Sequence, residues 1–254
     1  MSDALQLEAV KSHHQELKLI RENKIFKSQL CIVKKPMTPI QQWPLDFLHS
    51  SEKNYLTRTL HEKRYGSYWL GRYCAKQALC HYTKNENLLS FEIAQGVFDQ
   101  PVVRYLDLDN IQISISHSGQ KAVAIAFPET HPMAVDLEMI KSNLVNHIEE
   151  TMNQSEIGLL RGLTEEYERL KVLTLFWTIK EALSKTLKTG LMADFEIYTV
   201  SDISQKSGWF ISEFKYFNQY KAHSKLLGEY VLTLILPKRS QIILNDKELE
   251  LFFL

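Results

Sequence analysis

The chain is poor in cysteine. Cys31, Cys74 and Cys80 are its only three in 254 residues. An odd count without CxxC spacing excludes a disulfide framework and a thiolate zinc site, and points to reduced thiols in a cytoplasmic protein. Net charge is missing too: 30 basic residues balance 30 acidic ones, so nothing global suggests nucleic acid or a membrane surface. No stretch reaches the roughly 18–20 apolar residues that span a bilayer. The N-terminus carries acidic residues and no long apolar run, which argues against a signal peptide. The nine histidines form no obvious ligand cluster, against a histidine-ligated phosphoesterase. Nothing near Ser116-His117-Ser118 has the strained, glycine-flanked elbow of a nucleophilic hydrolase.

What is present is an ordinary globular composition, 44% hydrophobic and 24% charged, enough for one large domain or two small ones. Charge is unevenly shared. Residues 1–128 hold 16 basic and 12 acidic side chains, and residues 129–254 hold 14 and 18. A basic half and an acidic half suit a phosphate ligand together with a metal, although an imbalance of this size also arises by chance.

The pattern along the chain predicts a polar helix over 4–22, a strand over 28–33, and helix from Ser51-Glu52, a small polar cap followed by an acid, to about His81. A strand begins at Phe91-Glu92-Ile93. Two more, Ile111–Ser116 and Ala122–Phe127, flank a Ser-Gly turn. The second half repeats this order. Ser155-Glu156 answers Ser51-Glu52 and Phe195-Glu196-Ile197 answers Phe91-Glu92-Ile93, both 104 residues on, while Trp177 answers Trp69 at 108, so the second helical block reads as about four residues longer there. A strand over 133–139 opens this half, Glu229–Leu236 closes it, and His131-Pro132 marks the junction. The sequence therefore reads as a duplicated α+β unit. Each half is strand-helices-strand-strand with a small, mainly antiparallel sheet, the two related by a pseudo-twofold. The expected divisions are an N-terminal helical extension over 1–24, a first half over 25–130 and a second over 131–254.

Three segments carry candidate chemistry. In the helix Phe176–Lys185, Trp177, Glu181 and Lys185 are spaced i, i+4, i+8 and share a face; alone, this also describes an exposed ion pair beneath a core tryptophan. In Ala134-Val135-Asp136-Leu137-Glu138 the two acids are two apart on a strand and point the same way. Such carboxylates repel unless a cation or water separates them; a solvated strand face is the simpler alternative. In Ile115-Ser116-His117-Ser118-Gly119 a histidine flanked by serines follows an apolar strand. A fourth feature is the basic segment with Lys53, Arg58, Lys63, Arg64, Arg72 and Lys76, of which Arg64, Arg72 and Lys76 share a helix face.

Together and in this order, these segments resemble the 4'-phosphopantetheinyl transferases, specifically the long, surfactin-type, pseudo-duplicated class. The resemblance runs from about residue 50 to 236. It is strongest at Trp177–Lys185, which keeps every fixed position of the family's Trp-x-x-Lys-Glu-Ala/Ser-x-x-Lys. Ala134–Glu138 keeps both acids of Gly-Ile-Asp-Ile-Glu, with Ala in place of Gly. Gly71-Arg72 matches a Gly-Arg pair. At Asp99-Gln100-Pro101 the family's Gly-Lys-Pro keeps its proline, but Gln100 replaces the basic residue.

The resemblance implies an enzyme that moves 4'-phosphopantetheine from coenzyme A to a serine of an apo carrier protein of the fatty-acid, polyketide or peptide-synthetase type, releasing 3',5'-adenosine bisphosphate. It implies magnesium, with manganese as an alternative, held by Asp136, Glu138 and Glu181. Glu181 would take the serine proton directly or through a water, and Lys185 would offset charge on the leaving phosphate. Coenzyme A phosphates would meet Ser116, His117, Lys53, Arg64, Arg72, Lys76, Gln100 and Lys180, with Arg72 serving either the ligand or the bracing of the halves. Coenzyme A binding thus falls to the first half, and metal binding and catalysis to the second. A chain long enough to hold both units is expected to be a monomer. The rival reading is a non-catalytic carrier-protein or nucleotide-binding module with a decayed site.

Overall fold

The computed structural model describes residues 10–57, 61–105, 110–142 and 145–254. Strands β1 (Ser12–Arg21) and β2 (Lys24–Lys34) come first. Helices α1 (Ser50–Leu56) and α2 (Glu62–Thr83) follow, then β3 (Glu92–Gln95), β4 (Pro101–Arg104), β5 (Ile111–Ser118) and β6 (Lys121–Pro128). The second series is β7 (Ala134–Met139), α3 (Val145–Glu150), α4 (Gln154–Leu163), α5 (Arg169–Leu187), β8 (Val200–Lys206), β9 (Trp209–Phe214), β10 (Tyr220–Leu227) and β11 (Tyr230–Pro237). Short β12 (Gln241–Ile243) and helix α6 (Asp246–Phe253) end the chain.

The architecture is α+β. One antiparallel sheet runs β12-β1-β2-β6-β5, the other β7-β11-β10-β9-β8, and β3 and β4 form a separate hairpin. The chain divides into two compact units, one mainly Ile25–Thr130 and the other mainly His131–Gln241. No helix among the described residues is long and apolar enough to cross a membrane.

Each unit buries a helix against its sheet. In the first, Trp69 and Tyr73 of α2 stack at 5.2 Å, and Phe47 meets both edge-on at 5.3 Å. Gly71 lets α2 approach β5: a Cβ there would lie 3.4 Å from Ile115 Cγ2. In the second unit, Leu173, Phe176 and Trp177 of α5 share a core with Val231 and Ile235 of β11. Burial of this kind supplies most of the stabilisation of a half-buried helix.

Four sequence expectations are corrected. Residues 12–21 form a strand, not helix, because Gln15, Leu17 and Leu19 are buried while Glu16 and Lys18 are exposed, a period of two. Residues 4–9 of that expected helix lie outside the described residues. The helix starts are not capped by Ser51 and Ser155. The caps are His49 and Asn153, whose backbone N–H groups donate to Glu52 and Glu156 at 2.8 and 3.1 Å.

Phe195–Tyr198 is a 3-10 turn rather than a strand, set by Asp194 accepting from the Glu196 N–H. Strand β8 therefore starts later than the repeated FEI string suggests. Finally, the long helices end at an offset of 104, not 108. Lys84 and Lys188, both left-handed at φ 63° and 56°, end α2 and α5. Tyr73, not Trp69, is thus the counterpart of Trp177.

Candidate active site

Strand β7 and helix α5 bring the main candidates together. Asp136 pairs in register with Thr233 of β11, whose hydroxyl donates to Thr178 of α5. That pairing puts Asp136 on the helix-facing side of its sheet. From α5, Lys185 reaches it with Nζ 2.5 Å from Oδ1. Asp136 is buried, and the Lys185 side chain is 27% exposed. Glu181 lies one turn before Lys185. Burial, reinforced by the charge of Asp136 and opposed by Lys185, pushes its carboxyl up to about 7. Acid, acid and ammonium therefore share one electrostatic neighbourhood.

Residues 132–235 match the 4'-phosphopantetheinyl transferase superfamily. No curated protein sequence matches the chain. The superfamily match spans β7 to β11, and with them Asp136, Glu138, Glu181 and Lys185; the first unit lies outside it. Glu138 is two residues along β7 from Asp136 and half-buried. Among the described residues no group of three or more His, Cys, Asp or Glu side chains is gathered to hold a metal. What is gathered is the Asp136–Glu181 pair, with Lys185 against Asp136.

Two of the expected phosphate ligands are corrected. Lys180 is buried, with Nζ 2.8 Å from Glu156 Oε2 and donating to the Thr151 carbonyl at 2.7 Å. Lys76 is buried 2.6 Å from Glu52 Oε2, donating to the Phe47 carbonyl at 2.8 Å. Both ammonium groups are spent inside the fold, because each side chain leaves its helix on the core face rather than the solvent face. Glu52 and Glu156 also accept from the Ile93 and Val200 backbone N–H groups at 3.2 and 3.0 Å. Each glutamate thus ties a helix start, a second helix and a strand start together.

The other first-unit candidates are spread over α1, α2, the β3–β4 turn and β5. His117, near the end of β5, is exposed and pairs with Ala122, while Ser116 is buried. Arg64 is exposed and donates to the Tyr55 hydroxyl at 3.0 Å. Arg72 lies 3.7 Å from Glu52 with its guanidinium 4.6 Å from the Tyr68 ring centre. Lys53 is half-buried on α1, and Arg58 lies outside the described residues. Gln100 folds into its own hairpin turn, where Oε1 accepts from the Phe98 N–H at 2.9 Å; it is built into the turn rather than extended as a cation would be.

Sequence reading missed Tyr198. It is fully buried, and its hydroxyl feels the charge of Glu181. No local spacing signals it, since it reaches the neighbourhood of α5 only through the reversal that follows the helix.

Proposed function

We propose that this protein transfers the 4'-phosphopantetheine arm of coenzyme A to a serine of an apo carrier protein. The observation that carries the reading is the meeting of Asp136, Glu181 and Lys185 inside the segment similar to the transferase superfamily. The donor chemistry fits magnesium, or manganese: carboxylate oxygens suit a hard divalent ion, and a cation would offset the burial, and then the charge of Asp136, that raise the Glu181 carboxyl. Asp136 and Glu181 would hold it, with Glu138 on the same strand face as a third ligand. When bound, it supplies charge neutralisation to the pyrophosphate of coenzyme A.

The remaining work falls to the chain's own groups. Glu181, with a carboxyl near neutrality, is suited to take the serine proton, directly or through a water. The serine oxygen attacks the β-phosphorus, the bridging P–O bond breaks, and its electron pair leaves on 3',5'-adenosine bisphosphate. Lys185 provides a fixed positive charge for that leaving phosphate. Ser116, His117, Lys53, Arg64 and Arg72 are the proposed phosphate contacts of coenzyme A, guanidinium groups matching phosphate oxygens in pairs.

The test is mass spectrometry of apo carrier proteins incubated with the protein, coenzyme A and magnesium. A gain of one phosphopantetheine group on at least one carrier is expected. No gain across fatty-acid, polyketide and peptide-synthetase carriers would overturn the reading and favour a non-catalytic binding module.

A further inference from the structure

Helix α5 carries Glu181 and Lys185 in its last two turns, so the way it ends sets where both side chains point. Lys188 takes the left-handed conformation, and its N–H donates to the Lys185 carbonyl at 3.2 Å. The Thr189 N–H donates to the Ser184 carbonyl, also at 3.2 Å. Gly190 is left-handed as well, at φ 57°. These backbone bonds close the reversal, and with two left-handed residues in three, one of them glycine, a side-chain tie restricts it further. Tyr198 supplies one. Its hydroxyl donates to the Gly190 carbonyl at 2.8 Å and lies 2.8 Å from Thr189 Oγ1. The ring is fully buried beside Phe195, so the tie is anchored in the core.

We propose that Tyr198 is a positioning residue for the transfer: its hydroxyl locks the turn that ends α5 and so holds Lys185 and Glu181 in place against Asp136. This rests on the transferase reading. The first unit ends its helix with a comparable tyrosine contact, without the chemistry. Lys84 is the left-handed residue ending α2, and Asn85, the counterpart of Thr189, donates from Nδ2 to the Tyr105 hydroxyl at 3.2 Å. Where α5 has Glu181 and Lys185, α2 has Gln77 and His81. Tyr105 is therefore an internal control for a tyrosine tie that only closes a helix.

Tyr198→Phe should lower kcat about tenfold, because a small displacement of a group that acts on the transition state is costly. KM for coenzyme A and for the carrier should stay within about twofold. Tyr105→Phe should leave kcat unchanged. Thr189→Val should reproduce part of the Tyr198→Phe loss, and the double variant should be no worse than the poorer single one. Backbone hydrogen exchange at residues 188–190 should rise in Tyr198→Phe. Wild-type kcat in folded Tyr198→Phe, or equal losses in the two tyrosine variants, would overturn the proposal. Should Tyr198→Phe fail to fold, Thr189→Val decides on the same kcat criterion. If the wild-type protein modifies no carrier, the transferase reading falls first. Exchange at 188–190 then judges the tie by itself: unchanged protection in the variant refutes it, and lost protection upholds it.

Discussion

Lys180 Nζ sits 2.8 Å from Glu156 Oε2 with both side chains buried, and 104 residues earlier Lys76 sits 2.6 Å from Glu52 in the same arrangement. Each lysine also donates to a backbone carbonyl, Thr151 in one unit and Phe47 in the other. A duplicated buried pair whose members satisfy backbone groups on three sides is a folding device rather than a ligand site. Lys180→Met should therefore destabilise the protein by roughly 3–5 kcal/mol, since it leaves a buried carboxylate uncompensated. Pairing it with Glu156→Leu should recover part of that loss. Urea denaturation of the three variants checks this. Unchanged stability with a raised KM for coenzyme A would return Lys180 to the phosphate set.

Much of the second half was legible because its signals are local. The strand around Asp136 and the helix around Glu181 are set by spacing over ten residues or fewer, and both lie where the sequence put them. The duplicated plan was legible as well, but its register was blurred by look-alike residues. Two tryptophans 108 apart suggested a longer second block, while the buried Glu–Lys pairs and the two left-handed lysines keep 104. The depth of Lys76 and Lys180 was not readable, because a lysine beside polar helix neighbours has the same local pattern whether it faces solvent or a buried glutamate. Strand β1 was missed because its polar surface outweighed the short alternation at Leu17 and Leu19.

Glu181→Gln should abolish transfer, because it removes the charge proposed to serve the metal and the serine proton. It should also stabilise the ligand-free protein at alkaline pH. The Glu181 carboxyl is raised from 4.5 to about 7, so the folded state binds more protons than the unfolded chain between those values. The stability this proton confers is present below about 4.5 and lost as pH rises through about 7. Neutral glutamine escapes that loss, a gain on the order of 2 kcal/mol at pH 8 after allowance for partial exposure. Denaturation of both proteins at pH 5 and pH 8 reads it; no pH-dependent difference would remove Glu181 from the field of Asp136.

Acid should destabilise the fold through buried imidazoles. His131 is fully buried with Nε2 2.7 Å from Ser240 Oγ, and burial pushes its pKa down to about 4; burial, then Lys221, does the same to His223. Between about 4 and 6.5 the unfolded chain binds protons that the folded state refuses. Stability is thus fully present above about 6.5 and declines as pH falls toward 4, by about 3 kcal/mol for His131 alone. Urea midpoints at pH 7, 5.5 and 4.5 should fall in that order. His131→Asn should flatten the slope by close to one proton, and an unaltered slope would contradict the burial argument.

His117→Ala should weaken coenzyme A binding more than it slows turnover at saturation. His117 is exposed near the end of β5, so its removal creates no core cavity and should shift stability by less than about 0.5 kcal/mol. A phosphate contact made equally in ground and transition states raises KM and leaves kcat alone. Titration of coenzyme A at saturating carrier separates the two parameters. The proposed role predicts an increase in KM of several-fold with kcat within about twofold. A collapsed kcat at unchanged KM would make His117 a proton-transfer group instead, and would move the acid–base chemistry away from Glu181.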